Sequence, residues 1–309
     1  MGVLLLFLTT FIWGTAFLAQ KYGADSLGPV AFTVARNILG GGFLLVILAV
    51  RALKRRRRDD GCCVRRSVWA GCCCAVPLFA AMSAQQQGIA YTMPGVSAFL
   101  TTNYVLFVPV LGAILTRRLP RAYVWFGAAM ALGGTYLICL TGSGAPEGGF
   151  AGIGKGELWT ILCAFCFAVQ MLTVDRFARS VDLLVMSTAQ LFACAAVGLP
   201  FLLLPSEAAK LSEASILAAG WPLVYCGVFS SGIAYTLQNV AQAHVPAALA
   251  GILLSLESVF GALAGWVVLG DRLSAGQLLG CATVFAAVIV SQLFSAADTA
   301  DAVENRVMC

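Results

Sequence analysis

Glu257 is the ionisable residue whose surroundings are least expected. It lies in GILLSLESVFGALAGWVVLG, residues 251–270, where every other residue is apolar, small or a serine. A helix of about 20 such residues spans the hydrocarbon core of a bilayer. A carboxylate there is costly unless it faces a cavity, has a partner or takes up a proton. Three roles are therefore open: binding an ammonium group, exchanging a proton, or a structural contact with Arg36 of another apolar segment.

Polar side chains recur inside several apolar segments. On one face of a predicted helix, at positions i, i+4, i+7 and i+11, lie Ser231, Tyr235, Gln238 and Gln242. Two earlier segments carry similar groups, namely Ser83, Gln86, Gln87, Thr101, Thr102 and Asn103. Such side chains either hold helices together or line a cavity, because facing lipid would cost several kcal/mol in unmet hydrogen bonds. Their concentration in four segments favours a cavity.

Aromatic residues add to this predicted cavity. Trp13 lies in the middle of an apolar segment, although tryptophan usually anchors at the membrane interface. Tyr91, Tyr104 and Tyr235 could frame an apolar or aromatic solute, or they could be ordinary core residues. The substrate-binding residues predicted from the sequence are Trp13, Gln86, Tyr91, Asn103, Tyr235, Gln238 and Glu257.

The elements that must position these residues follow from composition. The chain of 309 residues is 60% hydrophobic and 11% charged, with a mean hydropathy of +0.90, whereas soluble domains carry about 25% charged residues. The first apolar segment lacks the basic start and the clear cleavage site of a signal peptide. The sequence therefore predicts an all-α integral membrane protein. Its ten transmembrane helices centre near residues 3–20, 30–50, 68–90, 95–116, 122–140, 157–175, 184–204, 219–241, 247–269 and 275–294.

Basic residues in the connections predict the orientation. With both termini in the cytoplasm, fourteen Lys and Arg residues lie on the cytoplasmic side and four on the other. The protein is thus expected in the cell membrane as a multi-pass protein. The Arg55–Arg58 run is interpreted as a topology anchor or as a site for anionic lipid head groups. The net charge of +5 therefore does not point to a nucleic-acid partner.

An internal repeat relates the two halves of the sequence. The pairs fall in order at offsets of 150 to 153 residues: Gln20 with Gln170, Gln86 with Gln238, Pro94 with Pro246, and Gly127 with Gly280. Each half holds five predicted helices, an odd number, so the second half enters the membrane inverted. Inverted repeats are typical of transporters that expose a central site alternately to each side.

The residues that carry this repeat resemble a known family. AYTMPGVSAFL and VPVLGAIL in the first half, and LLSLESVFGALAGWVVLGDRLSAGQLLG in the second, resemble the paired EamA repeats of the drug/metabolite transporter superfamily. The resemblance implies a central cavity lined mainly by the third, fourth, eighth and ninth helices with the first and sixth. It also implies transport of small metabolites, amino acids among them, and often export. The sequence departs from the family pattern at one position. The family often has an acidic residue after the fourth helix, where this sequence has Arg118 or a neighbouring residue. The second half keeps an acidic residue, Asp271, at the corresponding place.

The predicted organisation divides the chain into four parts: a first repeat at 1–141, an extracytoplasmic linker at 142–156, a second repeat at 157–295 and a cytoplasmic tail at 296–309. The predicted function is secondary transport of a small organic metabolite, an amino-acid-like solute or a drug, by alternating access and in the direction of export. The alternatives are a lipid-handling membrane protein and a membrane-embedded enzyme. The expected partners are the small-molecule substrate and the bilayer, with proton coupling and a homodimer left open.

No enzyme, cofactor or metal site is predicted. His244 is the single histidine and has no acidic or histidine cluster at ligand spacing around it. Cys163 and Cys166 form a CxxC inside an apolar helix, without the strand and turn of a thioredoxin-like motif. A channel is disfavoured, because channel pores usually repeat their filter residues around an oligomer, whereas the symmetry here lies within one chain.

Overall fold

The computed structural model describes residues 1–54, 61–91, 94–140, 154–269 and 274–307. Within them every regular element is helical. Outside the described residues lie the Arg55–Arg58 run, most of the predicted linker, Asp271 and the last two residues of the tail.

Six helices form the first half of the chain. In order they are α1 (Gly2–Ser26), α2 (Pro29–Lys54), α3 (Gly61–Tyr91), α4 (Pro94–Thr101), α5 (Tyr104–Thr116) and α6 (Ala122–Leu140). Because no water solvates the backbone in lipid, helices that satisfy their own N–H and C=O groups are what these apolar stretches form. Apolar side chains cover the outside as well, as lipid contact requires; Leu4, Leu45 and Trp69 are more than half exposed.

The second half repeats this plan with more interruptions. It begins with two long helices, α7 (Lys155–Phe177) and α8 (Leu183–Gly198), with 3₁₀ turns at Ala178–Ser180 and Leu199–Leu203. Two short helices follow, α9 (Pro205–Ala208) and α10 (Glu213–Ala218). The remaining elements are α11 (Gly220–Val224), a π-helical segment (Tyr225–Ala234), α12 (Tyr235–Gln242), α13 (Ala247–Leu254), α14 (Leu256–Ala264), a π turn (Gly265–Leu269) and α15 (Ala275–Val307).

Nine helical segments in the described residues are long and apolar enough to cross a membrane, where the sequence predicts ten. The predicted eighth crossing is helical from Gly220 to Gln242 but is not among the nine. Its polar residues, Gln238 and Asn239 above all, lower its mean hydropathy. The all-helical membrane fold is thus confirmed, while length and apolar composition alone do not give the number ten.

Helix contacts made by one half of the chain have corresponding contacts in the other half. Helix α1 packs against α13 and α14, and α7 packs against α4 and α5. Likewise α2 packs against the π-helical segment, and α8 packs against α3. Helix α3 also packs against α7, and α1 packs against the π-helical segment and α12. Two further large contacts join equivalent helices directly, α2 with α8 and α6 with α15. The two halves are therefore interlocked around a common centre.

Two breaks interrupt the helices near this centre. Thr102 and Asn103 separate α4 from α5, and Ser255 separates α13 from α14. At the first break Thr102 Oγ1 donates to the Ala98 carbonyl at 2.9 Å, and at the second Ser255 Oγ donates to the Ile252 carbonyl at 2.6 Å. Serine and threonine side chains that bond their own preceding turn bend helices. The breaks fall at equivalent positions of the repeat.

One ion pair marks what we call the N-terminal face, the end of the bundle where α1 begins. There α2 ends and α8 begins, and the guanidinium of Arg51 hydrogen-bonds Asp182, with Nη1 3.0 Å from Oδ1. The Asp182 backbone N–H donates to Ser67 Oγ at 2.9 Å, which ties α3 to the same corner. Partial burial raises the pKa of Asp182, but the hydrogen bonds from Arg51 and from the backbone of Val185 and Leu184 outweigh it, and the pKa lies below its ordinary value.

Candidate functional site

A central cavity lies where the interrupted helices meet. The space between its lining residues is about 440 Å³, a volume that includes the open mouth and the gaps between lining atoms, and both halves of the chain line it. Its polar lining consists of Gln20, Arg36, Gln85, Thr101, Tyr104, Ser230, Tyr235, Gln238 and Glu257. Its apolar lining consists of Trp13, Phe17, Phe167, Met171 and Leu254. An apolar wall with a few converging polar groups is the usual character of a small-molecule site.

Glu257 lies in the first turn of α14, directly after the second helix break, and is 4% exposed. The hydroxyl of Tyr104, the first residue of α5, donates to Glu257 Oε1 at 3.1 Å. The two residues are 153 positions apart, the same offset that relates Gly127 to Gly280. Equivalent positions of the two halves therefore contact each other. Among the described residues no group hydrogen-bonds the second oxygen of Glu257, Oε2.

Arg36 is the other charged residue of the cavity, and it is 3% exposed. Its Nε donates to Ser231 Oγ at 3.0 Å, and its Nη2 donates to Ser230 Oγ at 2.7 Å. Both serines belong to the π-helical segment. A longer bond of 3.5 Å joins Nη1 to Gln20 Oε1. All of these acceptors are neutral.

Arg36 and Glu257 do not form the structural contact that the sequence left open. Within the described ranges the ion pair with N···O below 4.0 Å is Arg51–Asp182, far from the cavity at the N-terminal face. The cavity therefore holds one buried cation and one buried carboxyl group that do not pair with each other. Burying a charge without a counter-charge is costly, so an anion in the cavity would stabilise Arg36, and a cation there would stabilise the ionised form of Glu257.

An aromatic pair forms part of the wall next to the arginine. The ring centroids of Trp13 and Tyr235 are 4.8 Å apart. Trp13 Nε1 donates to the carbonyl of Ser230 at 3.2 Å, which fixes the indole against the π-helical segment. The two rings, tilted by 57° to each other, offer an apolar surface beside Arg36.

Two further polar atoms of the lining lack an oxygen or nitrogen partner. Gln238 Oε1 is buried and makes no hydrogen bond in the described structure, and buried Thr101 Oγ1 lies beside the Cys163 thiol, a weak hydrogen-bonding group. Gln238 Nε2, by contrast, donates to Gln242 Oε1 at 3.1 Å, so the amide is held in one orientation. Buried polar atoms are nearly always paired, and these two acceptors are left for a bound molecule or for water.

The structure brings together four of the predicted site residues, Trp13, Tyr235, Gln238 and Glu257, in this one cavity. The other three lie outside its lining. Gln86 is buried, and its Nε2 donates to the Gln20 carbonyl at 3.0 Å. Asn103 bonds the Leu100 carbonyl at 2.9 Å within the first break, and Tyr91 is 63% exposed at the end of α3.

Arg36 is the residue that the sequence prediction left out of the site. A charge in the middle of an apolar segment is the same signal that drew attention to Glu257, and it would have placed Arg36 in the binding set. Ser230 was omitted because the helical period selected Ser231 alone. His244 is exposed in the turn before α13. Among the described residues, no three His, Cys, Asp or Glu side chains come together as metal ligands would.

Two hydrogen bonds between corresponding pairs of helices flank the cavity on opposite sides, although Gln242 lies one helical turn beyond Gln238, the repeat equivalent of Gln86. On the side of the N-terminal face, Gln242 Nε2 of α12 donates to the Met171 carbonyl of α7 at 3.0 Å. On the other side, the bond from Gln86 of α3 to the Gln20 carbonyl of α1 joins the corresponding helices. Each bond links a helix of the cavity wall to its neighbour close to one end of the cavity.

Comparisons with known proteins agree with this architecture. The sequence model of the EamA-like transporter family matches residues 1–140 and again 154–293. An uncharacterized transporter of Archaeoglobus fulgidus is 25% identical over 286 residues, which cover 93% of this chain and 84% of that protein. A threonine/homoserine exporter of Salmonella typhimurium is 24% identical over 193 residues, which cover 60% of this chain and 59% of that protein. A solved crystal structure shares the fold with a TM-score of 0.74 at 21% identity, covering 95% and 96% of the two chains.

Proposed function

Since the chain belongs to the EamA-like transporter family, we propose that it carries a small organic metabolite across the membrane by alternating access. The observation that carries this proposal is the central cavity, which both halves line and which holds Arg36 and Glu257 without ion partners in the described structure. Ionisable side chains that face a cavity inside a membrane protein usually mark a functional site. The proposed solutes are amino-acid-like metabolites or drugs.

The packing of the two halves supports a rocking mechanism. In transporters with inverted repeats, access alternates when one repeat moves against the other around a fixed site. Here the bonds Gln86–Gln20 and Gln242–Met171 join corresponding helices of the two halves at opposite ends of the cavity. The proposal assigns them to two gates, of which one opens while the other stays closed.

We further propose export across the cell membrane, with the N-terminal face in the cytoplasm. The excess of Lys and Arg in the connections of that face supports the orientation. The similarity to the threonine/homoserine exporter of Salmonella typhimurium supports the direction.

Release from proteoliposomes tests the function directly. The purified protein is reconstituted into vesicles loaded with a mixture of amino acids and other small metabolites, and the solutes that leave are identified by mass spectrometry. We expect faster release of one or a few solutes than from protein-free vesicles. Trp13→Ala, in the cavity wall, should slow release at least about fivefold, since a large part of the wall is lost.

Trp69→Ala is the matched control, because Trp69 is 66% exposed on the outside of the bundle and its loss should leave release unchanged. Release no faster than from protein-free vesicles overturns the proposal. A fluorescent lipid that crosses the bilayer in such vesicles, without solute release, would point to the lipid-handling alternative instead.

A further inference from the structure

Arg36 has unused hydrogen-bond donors in the cavity. A guanidinium carries five N–H groups, and Ser230, Ser231 and Gln20 accept three of them. One N–H on Nη1 and one on Nη2 remain, the two groups that hold a carboxylate in the bidentate arrangement. None of the three acceptors carries charge. Arg36 is thus held rigidly by neutral groups while its positive charge stays uncompensated.

Glu257 shows the complementary pattern. Tyr104 binds one carboxylate oxygen, Oε1, and leaves Oε2 without a partner among the described residues. An alkylammonium group has three N–H donors, more than one carboxylate oxygen uses. The acceptors Gln238 Oε1 and Thr101 Oγ1, which lack an oxygen or nitrogen partner, belong to the lining of the same cavity and are nearly completely buried.

The two charges together select the charge pattern of the solute. A simple cation would satisfy Glu257 and leave Arg36 buried without a counter-charge. A simple anion would satisfy Arg36 and leave Glu257 without a cationic partner, so that its carboxyl group would take up a proton. A molecule with one positive and one negative end satisfies both and leaves the net charge of the site unchanged. Because a buried charge without a counter-charge is costly, a solute that supplies both opposite charges is favoured over one that supplies a single charge.

Building on the proposed function, we propose that Arg36 and Glu257 are the two ends of a zwitterion site, and that the transported solute is an amino acid. Its carboxylate is held by the free N–H groups of Arg36, and its ammonium by Glu257 with Gln238 and Thr101. The rings of Trp13 and Tyr235 provide the apolar contact for its side chain or carbon backbone. The Glu257 carboxyl binds in its ionised form.

Chemically blocked ligands test this on the unmodified protein. The melting temperature of purified protein is measured with each proteinogenic amino acid, and then with the methyl ester and the N-acetyl derivative of every amino acid that stabilises it. A ligand that binds the folded state raises the melting temperature by mass action. We expect at least one amino acid to do so. Its ester, which lacks the carboxylate, and its N-acetyl form, which lacks the ammonium, should bind at least about tenfold more weakly, as loss of a charged hydrogen-bonding partner implies.

Single variants then assign the two ends. Arg36→Gln should weaken binding of the amino acid about tenfold or more but leave the weak binding of its methyl ester unchanged, because the ester has no carboxylate to lose. Glu257→Gln should weaken the amino acid similarly and leave the N-acetyl form unchanged. Matched controls are Arg51→Gln on the same helix as Arg36, and Glu207→Gln, a buried carboxylate outside the cavity. Both controls should bind the amino acid like the wild type.

The outcomes separate this inference from the transport function. If an amino acid leaves the proteoliposomes but its ester and N-acetyl forms stabilise the protein as well as the parent does, the zwitterion site is wrong and transport stands. If only solutes without both charges are released, the same conclusion follows. If no amino acid raises the melting temperature, the inference is overturned whatever the release assay shows. Because the ligand series uses wild-type protein, it decides the question even where a variant fails to fold.

Discussion

Gln20 and Gln170 occupy equivalent positions in the two halves, and their surroundings differ sharply. Gln20 lines the cavity and accepts a hydrogen bond from Arg36. Gln170 is completely buried, and neither its amide nitrogen nor its amide oxygen has a partner among the described residues. An isolated buried amide is unfavourable by roughly 1–3 kcal/mol. Equivalent backbone positions thus carry an amide with a hydrogen-bond partner in the first half and an amide without one in the second.

The proposed alternating-access mechanism explains this difference between Gln20 and Gln170. If the two halves exchange conformations during transport, Gln170 moves to the cavity wall when Gln20 leaves it. The unsatisfied amide is then a feature of one conformation, retained because the other conformation uses it. The two halves are alike in helix packing, but they differ in which polar side chain lines the cavity.

The largest effect is expected where the halves are alike, at the contact of α6 with α15. A Cβ on Gly134 would lie 2.8 Å from the Gly280 carbonyl oxygen and 2.9 Å from the Val284 nitrogen, and a Cβ on Gly280 would lie 2.6 Å from the Gly134 carbonyl oxygen. Gly134→Val and Gly280→Val should therefore each force the helices apart and lower the free energy of unfolding by about 3 kcal/mol.

Gly133→Val is the control, since nothing lies within 4 Å of its Cβ position. Thermal unfolding in detergent measures all three variants. A destabilisation by Gly133→Val as large as that by Gly134→Val would contradict the close contact.

The next largest effect concerns the helix start that Asp182 caps. Asp182 accepts from the backbone of Leu184 and Val185 and pairs with Arg51. Asp182→Ala should lower the free energy of unfolding by about 2 kcal/mol at neutral pH, and Asp182→Asn, which keeps a capping oxygen, by about half of that.

The pH dependence follows from the lowered pKa of Asp182. A carboxyl group whose pKa is lower in the folded state stabilises the fold above its unfolded pKa, about 3.9 for aspartate. That contribution is lost as the pH falls through the folded-state value. The difference in melting temperature between wild type and Asp182→Asn should thus shrink when the pH is lowered from 7 to below 4. A difference independent of pH would show that the charge is not responsible.

A smaller effect of opposite sign is expected at Gln170. Gln170→Met keeps the volume and removes two unsatisfied polar atoms, so it should raise the free energy of unfolding by about 1 kcal/mol. It should also slow solute release severalfold, because the second conformation loses a polar group. Gln20→Met is the counterpart and should not stabilise the protein, since Gln20 already has a partner. Equal effects of the two substitutions on stability would contradict the difference in hydrogen bonding between Gln20 and Gln170.

The smallest effect concerns the cap of α2. Glu207 Oε2 accepts from the Ala31 backbone N–H at 3.0 Å, so a carboxylate caps α2 as Asp182 caps α8. Glu207→Gln keeps an acceptor and removes only the charge at the helix start, which should lower the free energy of unfolding by about 0.5 kcal/mol. The melting temperature measures it. A loss as large as that of Asp182→Ala would show that the two caps do not differ in strength.

The sequence predicted most of the helices and part of the cavity. Glu257, Gln238 and Trp13 were found because a charged, polar or aromatic residue in the middle of an apolar segment needs a reason to be there. The two helix breaks were not predicted, since the hydrogen bonds of Thr102 and Ser255 to their own preceding turns are local geometry that apolar periodicity does not encode.

The π-helical segment likewise prevented a prediction of both hydrogen-bond partners of Arg36. It presents Ser230 and Ser231 together to Arg36, whereas an α-helical period points to one of them. Tyr91 was selected by residue type alone, and residue type does not say which side chains of a helix end turn outward.

The contact between Tyr104 and Glu257 bears on how such a chain could arise. Two identical five-helix subunits around a twofold axis would bring the same side chain from each subunit to this place. Two glutamates there would repel until one took up a proton, and two tyrosines would supply no charge. A single gene that encodes both subunits in tandem has no such restriction, because one copy can mutate while the other does not. Fusion of the duplicated units is thus the step that allows a lone carboxylate next to the axis.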